Sequence, residues 1–214
     1  RRANTPGREG IVTSAAQSTT IVLLDVMGTI VREPFLVDVP RFFSTTRAEL
    51  LPLLSRKTWF AFECGTIDEP TFARRFFQDR RSFDCHGLKA VLRAGYDFLP
   101  GMEELLVELH ASPATVHALS NYPIWYQLIE AKLRLSRYLA WTFVSCKTGV
   151  RKPDPRAFSG AAAALGARPE QCLFVDDRNV NCAAARAVGM RALEFSDAGQ
   201  LRDLLVELGV LSQR

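Results

Sequence analysis

The chain has 214 residues, 48% of them hydrophobic and 23% charged, which is typical of one large globular domain or of a core domain with a smaller insertion. No apolar run approaches the roughly 20 residues that cross a bilayer, so we predict no transmembrane helix and no membrane insertion. The net charge of +4 at pH 7 is mild, and without a nucleic-acid-reading motif it predicts no nucleic-acid partner.

The first predicted segment, residues 1–20, differs in composition from the rest of the chain. It is rich in Arg, Ser, Thr and Ala, contains one acidic residue, and has neither a helical nor a strand period. We therefore predict a flexible N-terminal segment. Its composition resembles the tail of an organellar transit peptide, although a disordered terminus would look similar.

The stretch IVLLDVMGTI, residues 21–30, predicts a strand that runs into a tight turn. Its first four residues are apolar, as in a parallel strand buried on both faces. Asp25 follows at the carboxyl end of the strand, where open α/β sheets place their chemistry.

The sequence pattern of residues 34–98 predicts helices and no strands. Apolar residues recur at helical spacing over 39–54, and three further segments, 57–65, 68–81 and 84–95, carry helix caps or glycine stops. Their aromatic residues could line a ligand pocket, but this spacing favours the interior of a small helical bundle.

From Leu99 onward, strands and helices alternate. Strands are predicted at 114–120, 141–146, 171–177 and 191–195, and helices at 100–110, 123–139, 154–166, 179–189 and 198–209. This alternation predicts right-handed βαβ units in an α/β fold with a doubly wound parallel sheet. The predicted helical segment interrupts that sheet after its first strand.

Polar residues follow four of the predicted strands. They are Asp25 with Gly28 and Thr29, Ser120 with Asn121, Lys152, and the pair Asp176 and Asp177. Because parallel strands point the same way, these groups are expected to meet at one edge of the sheet. Carboxylates, a hydroxyl and an amine together predict a site for a divalent cation and a phosphate.

Each of these residues has a chemical role that fits such a site. Asp25 can attack phosphorus as a carboxylate nucleophile, and Ser120 and Lys152 can bind the phosphoryl oxygens. Asp25 and the Asp176/Asp177 pair offer the oxygen ligands that Mg²⁺ prefers.

Each residue also has a local explanation. Asp25 could form a turn, Ser120 with Asn121 and the Asp pair could cap helices, and Lys152 could be a solvated loop charge. Their joint occurrence at successive strand ends favours the site.

The five cysteines, Cys64, Cys85, Cys146, Cys172 and Cys182, form no CxxC motif. Their odd number and apolar surroundings favour reduced, mostly buried thiols. The three histidines show no ligand spacing relative to them, so a zinc site is not expected.

In these motifs the chain resembles the haloacid dehalogenase-like (HAD) superfamily, from Ile21 to the C-terminus. DVMGT, ALSN, RKPDP and FVDDRNVN resemble its four motifs in order. The resemblance implies a Rossmann-like core, residues 21–33 and 99–214, with a helical cap, residues 34–98. It also implies hydrolysis of a small phosphorylated substrate through an aspartyl-phosphate, with Gly28, Thr29, Ser120, Asn121 and Lys152 at the substrate phosphate.

The same resemblance implies a Mg²⁺ ion and its ligands. They are Asp25, the backbone carbonyl of Met27, and Asp176 or Asp177, with Asn181 in an outer position. Adjacent side chains of a strand point apart, so one carboxylate of the pair is expected to reach the metal, and we favour Asp177.

Three stretches, LLDVMGTIVREPF, NYPIWYQLIE and RKPDP, resemble more narrowly the plant chloroplast flavin mononucleotide (FMN) hydrolases. This resemblance implies a chloroplast location and FMN as a candidate substrate.

Met27 departs from the superfamily pattern. Its phosphatases usually carry an Asp two residues after the nucleophile, which protonates the leaving alkoxide, and a thioether cannot do so. Losing such an acid lowers a rate by roughly 10²–10⁴-fold.

This departure leaves three hypotheses. The first is a phosphatase in which water or a cap residue assists the leaving group. The second is a weak or inactive HAD-fold subunit of a larger chloroplast assembly. The third is a haloacid dehalogenase, which needs no such acid but is metal-independent and would not require the Asp176/Asp177 pair.

Overall fold

The computed structural model describes residues 20–213 of the chain, so the predicted N-terminal segment, apart from Thr20, lies outside the described residues. Five strands form one sheet: β1 (Ile21–Leu24), β2 (Thr115–Ser120), β3 (Ala140–Val144), β4 (Cys172–Asp176) and β5 (Arg191–Glu194). Their order is β3-β2-β1-β4-β5, and all four pairings are parallel. The predicted α/β fold with a parallel sheet is thereby confirmed.

β1 lies at the centre of the sheet because it has no polar side chain to solvate. Leu24 pairs with Ala118 of β2 and with Val175 of β4, so Asp25 leaves the sheet level with Asp176. Register alone therefore brings the first and fourth predicted motifs side by side.

In the segment between β1 and β2, two short helices replace the single helix predicted over 39–54, and six α-helices form in all. They are α1 (Asp38–Phe42), α2 (Arg47–Leu50), α3 (Arg56–Glu63), α4 (Glu69–Arg75), α5 (Cys85–Gly95) and α6 (Met102–Ala111). We call residues 34–98 the helical insert. Its treatment as a cap domain stays a prediction.

The remaining helices alternate with the strands. They are α7 (Tyr126–Leu133), α8 (Ser145–Thr148), α9 (Pro155–Ala164), α10 (Asn179–Ala187) and α11 (Ala198–Glu207). Residues of α9 and α10, including Phe158 and Cys182, bury Leu23 and Phe174 on one face of the sheet. The opposite face packs against α6, α7, α11 and the insert, which makes a three-layer structure.

The insert contacts the core through aromatic and hydroxyl groups. Trp125, which precedes α7, lies edge-on to Phe62 and Phe72, with centroid distances of 5.1 and 5.2 Å. The hydroxyls of Tyr96 and Tyr122 are 2.7 Å apart and buried. The predicted aromatic interior of the helical bundle is thus shared with the core.

No helix within residues 20–213 combines the length and the apolar character needed to cross a membrane. All five cysteines are free thiols.

Candidate active site at the carboxyl edge of the sheet

Asp25 lies at the mouth of a tight turn that follows β1. Its amide donates to the Val175 carbonyl at 2.9 Å, and Val26 N donates to its Oδ1 at 2.8 Å. Gly28 in this turn has φ +79°, and a Cβ there would lie 2.7 Å from Asp177 Oδ2. Only glycine permits both the turn and the close approach of Asp177.

Lys152 lies between two carboxylates. Its Nζ is 2.9 Å from Asp25 Oδ1 and 2.6 Å from Asp176 Oδ2, and the side chain is 2% exposed. Asn121 holds the lysine backbone in place: its Nδ2 donates to the Lys152 carbonyl at 2.8 Å, and its Oδ1 accepts from Lys152 N at 2.7 Å. Asn121 therefore orients Lys152, a role that its sequence position does not reveal.

Asp176 is held by donors from the start of α10 as well. Asn181 Nδ2 donates to both of its oxygens at 2.9 and 3.0 Å, and Arg178 N donates to Oδ1 at 2.9 Å. Asn181 thus contacts the Asp176 carboxylate directly, and its outer position around a cation stays a prediction.

Asp25, Asp176 and Asp177 together form a carboxylate cluster. One oxygen from each lies within 4.8 Å of the others. The two adjacent aspartates both reach the cluster because Asp177 follows the end of β4, where strand alternation no longer separates neighbours. The assignment of the metal contact to Asp177 rather than Asp176 stays a prediction.

Burial and mutual repulsion raise the proton affinity of this cluster. Burial raises the pKa of Asp25 to about 7, against the opposing charge of Lys152 and with a further contribution from Asp176. Burial, then Asp176, also raises the pKa of Asp177. A divalent cation would relieve both effects, and an all-oxygen donor set fits Mg²⁺.

Two hydroxyls at this edge lack a partner. Ser120 Oγ, at the end of β2, and Thr29 Oγ1, in the turn after Asp25, are buried and have no hydrogen bond within residues 20–213. Because an unpaired buried hydroxyl is unfavourable, both suit a ligand that accepts hydrogen bonds, such as a phosphate.

A cavity of about 480 Å³ lies beside this edge, between the insert and the core. Its walls are Met27, Glu33, Phe35, Leu51, Leu54, Ser55, Arg56, Trp59, Glu63, Phe76, Asn121 and Tyr122. Met27 is therefore one of the residues that line this cavity.

The cavity also contains two carboxylates. Burial raises the pKa of Glu33 to about 6. It also raises the pKa of Glu63, although Arg151 opposes this at 2.9 Å. Sequence reasoning missed both glutamates, because neither follows a strand or belongs to one of the four strand-end motifs, although Glu33 lies in the stretch LLDVMGTIVREPF.

Comparison with known proteins agrees with this geometry. Residues 19–189 match the family of haloacid dehalogenase-like hydrolases. The chain is 48% identical to the chloroplastic flavin mononucleotide hydrolase 1 of Arabidopsis thaliana, over 92% of this chain and 80% of that protein. It is 28% identical to the sesquiterpene phosphatase astK of Aspergillus oryzae, over 70% of this chain and 78% of that protein.

Solved structures share the fold at low sequence identity. A HAD family enzyme of Bacteroides thetaiotaomicron has a TM-score of 0.71 and 18% identity, over 88% of this chain and 99% of that one. The same enzyme in complex with magnesium and inorganic phosphate has a TM-score of 0.67 and 18% identity, over 84% and 95% of the two chains. The match along the sequence, the shared fold and the four strand-end motifs lead to one conclusion: the chain belongs to the haloacid dehalogenase-like hydrolase family.

Proposed function

We propose that the chain is a Mg²⁺-dependent phosphomonoesterase that works through an aspartyl-phosphate on Asp25. The observation that carries this proposal is the contact of Lys152 Nζ with Asp25 at 2.9 Å and with Asp176 at 2.6 Å, beside Asp177. A nucleophilic carboxylate, a buried cation and a carboxylate pair form a phosphoryl-transfer site rather than a general anion site.

Each residue of the site has its own role in the proposed reaction. Asp25 attacks phosphorus, while Lys152 favours the ionised form of Asp25 against the effect of burial and binds a phosphoryl oxygen. Ser120 and Thr29 donate their unpaired hydroxyls to the remaining oxygens, and the turn at Gly28 adds backbone amides. Asp25, the Met27 carbonyl and the Asp176/Asp177 pair would hold Mg²⁺, which would supply positive charge to offset the negative charge of the transferring group.

FMN is the proposed substrate. The Arabidopsis relative is named for its hydrolysis, and the cavity beside Asp25 has aromatic walls that suit a flat ring system. Phe35 and Trp59 meet edge-on there, with a centroid distance of 4.8 Å. The relative's name also supports a plastid location for this chain.

The two other hypotheses are less well supported. An inactive subunit of an assembly would not need the buried Lys152 between two carboxylates, because burying these charges costs desolvation free energy. The structural likeness to the L-2-haloacid dehalogenase of Xanthobacter autotrophicus, at a TM-score of 0.62 and 19% identity, concerns the fold alone. The carboxylate cluster favours metal-dependent phosphate chemistry over it.

The test is phosphate release from FMN and from p-nitrophenyl phosphate by the wild-type chain and Asp25→Asn. We expect Mg²⁺-dependent release by the wild type, inhibition by EDTA, and loss of release in Asp25→Asn. Asp197→Asn is the matched control, since Asp197 caps α11 with Oδ1 at 2.8 Å from Gln200 N and Asn also caps helices. Wild-type protein that releases no phosphate from either ester, or active Asp25→Asn, would refute the proposal.

A further inference from the structure

The proposed catalytic site at the carboxyl edge of the sheet lacks a proton donor for the leaving group. Met27 has no proton to give, yet an alkyl ester leaves as an alkoxide unless its bridging oxygen is protonated. The cavity that Met27 lines contains two carboxylates, Glu33 and Glu63. We infer that Glu33 supplies this proton, an inference that rests on the proposed phosphatase activity.

Glu63 is unsuited to this role because both of its oxygens are engaged. Its Oε1 accepts from Trp59 Nε1 at 2.6 Å, and its Oε2 accepts from Arg151 Nε at 2.9 Å. Arg151 pairs with the carboxylate form, and the side chain is 8% exposed. Glu63 is therefore a charged wall of the cavity.

Glu33 has the opposite arrangement. Its Oε1 accepts from Phe35 N at 3.0 Å, and within residues 20–213 no group donates to its Oε2. The side chain is half-buried and lines the cavity. One oxygen is thus fixed by the backbone while the other is free to carry a proton towards a bound ester.

The surroundings of Glu33 keep part of its population protonated near neutral pH. Burial is the main cause of its pKa near 6, and the backbone hydrogen bond from Phe35 opposes it. With a pKa near 6, about a tenth of the carboxyls remain protonated at pH 7. The other charged or titratable groups that face Glu33 are Asp177 and Glu63, which raise the pKa, Arg47, which lowers it, and the phenols of Tyr96 and Tyr122.

The backbone between Asp25 and Glu33 is fixed by hydrogen bonds. Gly28 N donates to the Val31 carbonyl at 2.8 Å, and Ile30 N donates to the Val26 carbonyl at 2.9 Å. Arg32 N then donates to the Asp97 carbonyl at 2.9 Å. Glu33 therefore keeps a constant position relative to the nucleophile, as a general acid must.

In the proposed step, Glu33 gives its proton to the leaving group as the ester bond breaks. An Asp25 oxygen forms a bond to phosphorus while the bond from phosphorus to the ester oxygen breaks. The proton of Glu33 passes to that oxygen, so an alcohol leaves and Glu33 becomes a carboxylate. Water then attacks the aspartyl-phosphate and its protons stay on the departing phosphate, which restores Asp25, while Glu33 regains a proton from solvent.

A purely structural role for Glu33, as the acceptor for Phe35 N, predicts a different outcome from catalysis. Gln has the same shape and can accept that hydrogen bond, but it carries no transferable proton. The change Glu33→Gln therefore separates the two roles. Glu49→Gln is the matched control on the insert, because Glu49 closes a capping box at Thr46 in which Gln also works.

The experiment compares kcat for FMN, whose leaving group is a primary alcohol, with kcat for p-nitrophenyl phosphate, whose leaving group needs no proton. We expect Glu33→Gln to lower kcat for FMN by about 100-fold or more and to change kcat for the aryl ester by less than about threefold. Adding Met27→Asp to Glu33→Gln should recover at least about tenfold for FMN. Glu49→Gln should leave both rates unchanged.

Several results would overturn the inference. An equal fall for both esters in Glu33→Gln would assign Glu33 a positioning role, and no fall for FMN would exclude it as the donor. If Glu33→Gln fails to fold, the wild-type ratio of the FMN rate to the aryl rate decides, since it must fall as pH rises above about 6. Wild-type chain that cleaves neither ester would instead refute the proposed function.

Discussion

Lys152 determines the charge balance of the cleft at the scale of a single residue. It is 2% exposed and its Nζ contacts Asp25 and Asp176, so a positive charge is enclosed with two negative ones. Buried ion pairs of this kind are stable only while they remain complete, because each partner loses its hydration on folding. Such an arrangement is maintained for chemistry rather than for stability.

We predict that Lys152→Met lowers the free energy of unfolding by about 3–5 kcal/mol, because it leaves two buried carboxylates without a counter-charge. Mg²⁺ should restore part of this loss by taking the place of the cation. Denaturant unfolding with Mg²⁺ and with EDTA measures both effects.

The matched control for this prediction is Lys132→Met. Lys132 forms a surface ion pair with Asp97 at 2.8 Å, and such pairs contribute about 1 kcal/mol or less. Equal losses of unfolding free energy in the two variants, or no effect of Mg²⁺ on Lys152→Met, would show that Lys152 does not balance the charge of the cleft carboxylates.

The residues that sequence reasoning found share one property, which is their position at or beyond the carboxyl end of a parallel strand. Asp25, Ser120, Lys152 and the Asp pair could be placed together because register decides where strand ends meet. Glu33 lies in the loop that leads into the insert, and Trp59 lies in α3 of the insert. Their positions depend on how the insert packs on the core. No periodic pattern marks a side chain that faces a cavity between two layers.

At the scale of elements, the predicted helix over 39–54 is wrong in its continuity. Ser44 has φ +52°, and Thr46 caps α2 through Glu49, so two short helices replace one. The apolar spacing persists across the break, which is why the pattern predicts a single helix. Hydroxyl side chains at Ser44–Thr46 compete with the helix for backbone hydrogen bonds.

Two other elements also differ from the prediction in their bounds. The helix predicted over 123–139 begins at Tyr126 and ends where Arg134 adopts φ +51°. The strand predicted over 141–146 ends at Val144, because Ser145 Oγ donates to the Glu63 carbonyl at 2.6 Å and opens α8. The contact between Ser145 and Glu63 joins the core to the insert, and the local sequence gives no sign of it.

The aromatic cluster between the insert and the core sets the stability of this arrangement. Phe72 of α4 is fully buried and stacks on Phe62 with a centroid distance of 4.5 Å, beside Phe76 and Trp125. We predict that Phe72→Ala lowers the free energy of unfolding by about 3–5 kcal/mol, since the cavity it leaves has rigid aromatic walls.

Leu53→Ala provides the comparison on the same insert, because Leu53 is 39% exposed and should change stability by about 0.5 kcal/mol. Both values come from denaturant unfolding followed by tryptophan fluorescence. A loss below about 1 kcal/mol in Phe72→Ala would mean that the insert and the core are not held together by this cluster.

At the scale of the whole molecule, the carboxyls with raised pKa values converge on one cleft. They are Asp25, Glu33, Glu63 and Asp177. The carboxyls with lowered pKa values, such as Asp68, Asp154 and Asp197, lie on the surface and cap helices. The two groups act on stability in different pH ranges.

The pH dependence of stability follows from the difference between the folded and unfolded pKa values of these groups. A carboxyl whose folded pKa is raised is protonated in both states at low pH, and it destabilises the fold once pH exceeds its unfolded value. For Glu33 this effect begins near its ordinary value of 4.5, is complete above about 6, and amounts to about 2 kcal/mol. The surface carboxyls have finished ionising in both states by pH 5, so above that value the cleft dominates. His117 acts in the opposite direction, because burial lowers its pKa.

We therefore predict that the melting temperature falls by about 4–8 °C between pH 5 and pH 8 in the presence of EDTA. Mg²⁺ should reduce this fall, because it stabilises the ionised forms of the three clustered aspartates. Thermal unfolding across the pH range, with Mg²⁺ and with EDTA, measures the effect. Glu33→Gln should show a shallower fall than the wild type in EDTA, since it removes one of the carboxyls. Two results would contradict the proposal that Mg²⁺ stabilises the buried carboxylates of the cleft. One is a melting temperature that rises from pH 5 to pH 8, and the other is an equal change of melting temperature with pH in Mg²⁺ and in EDTA.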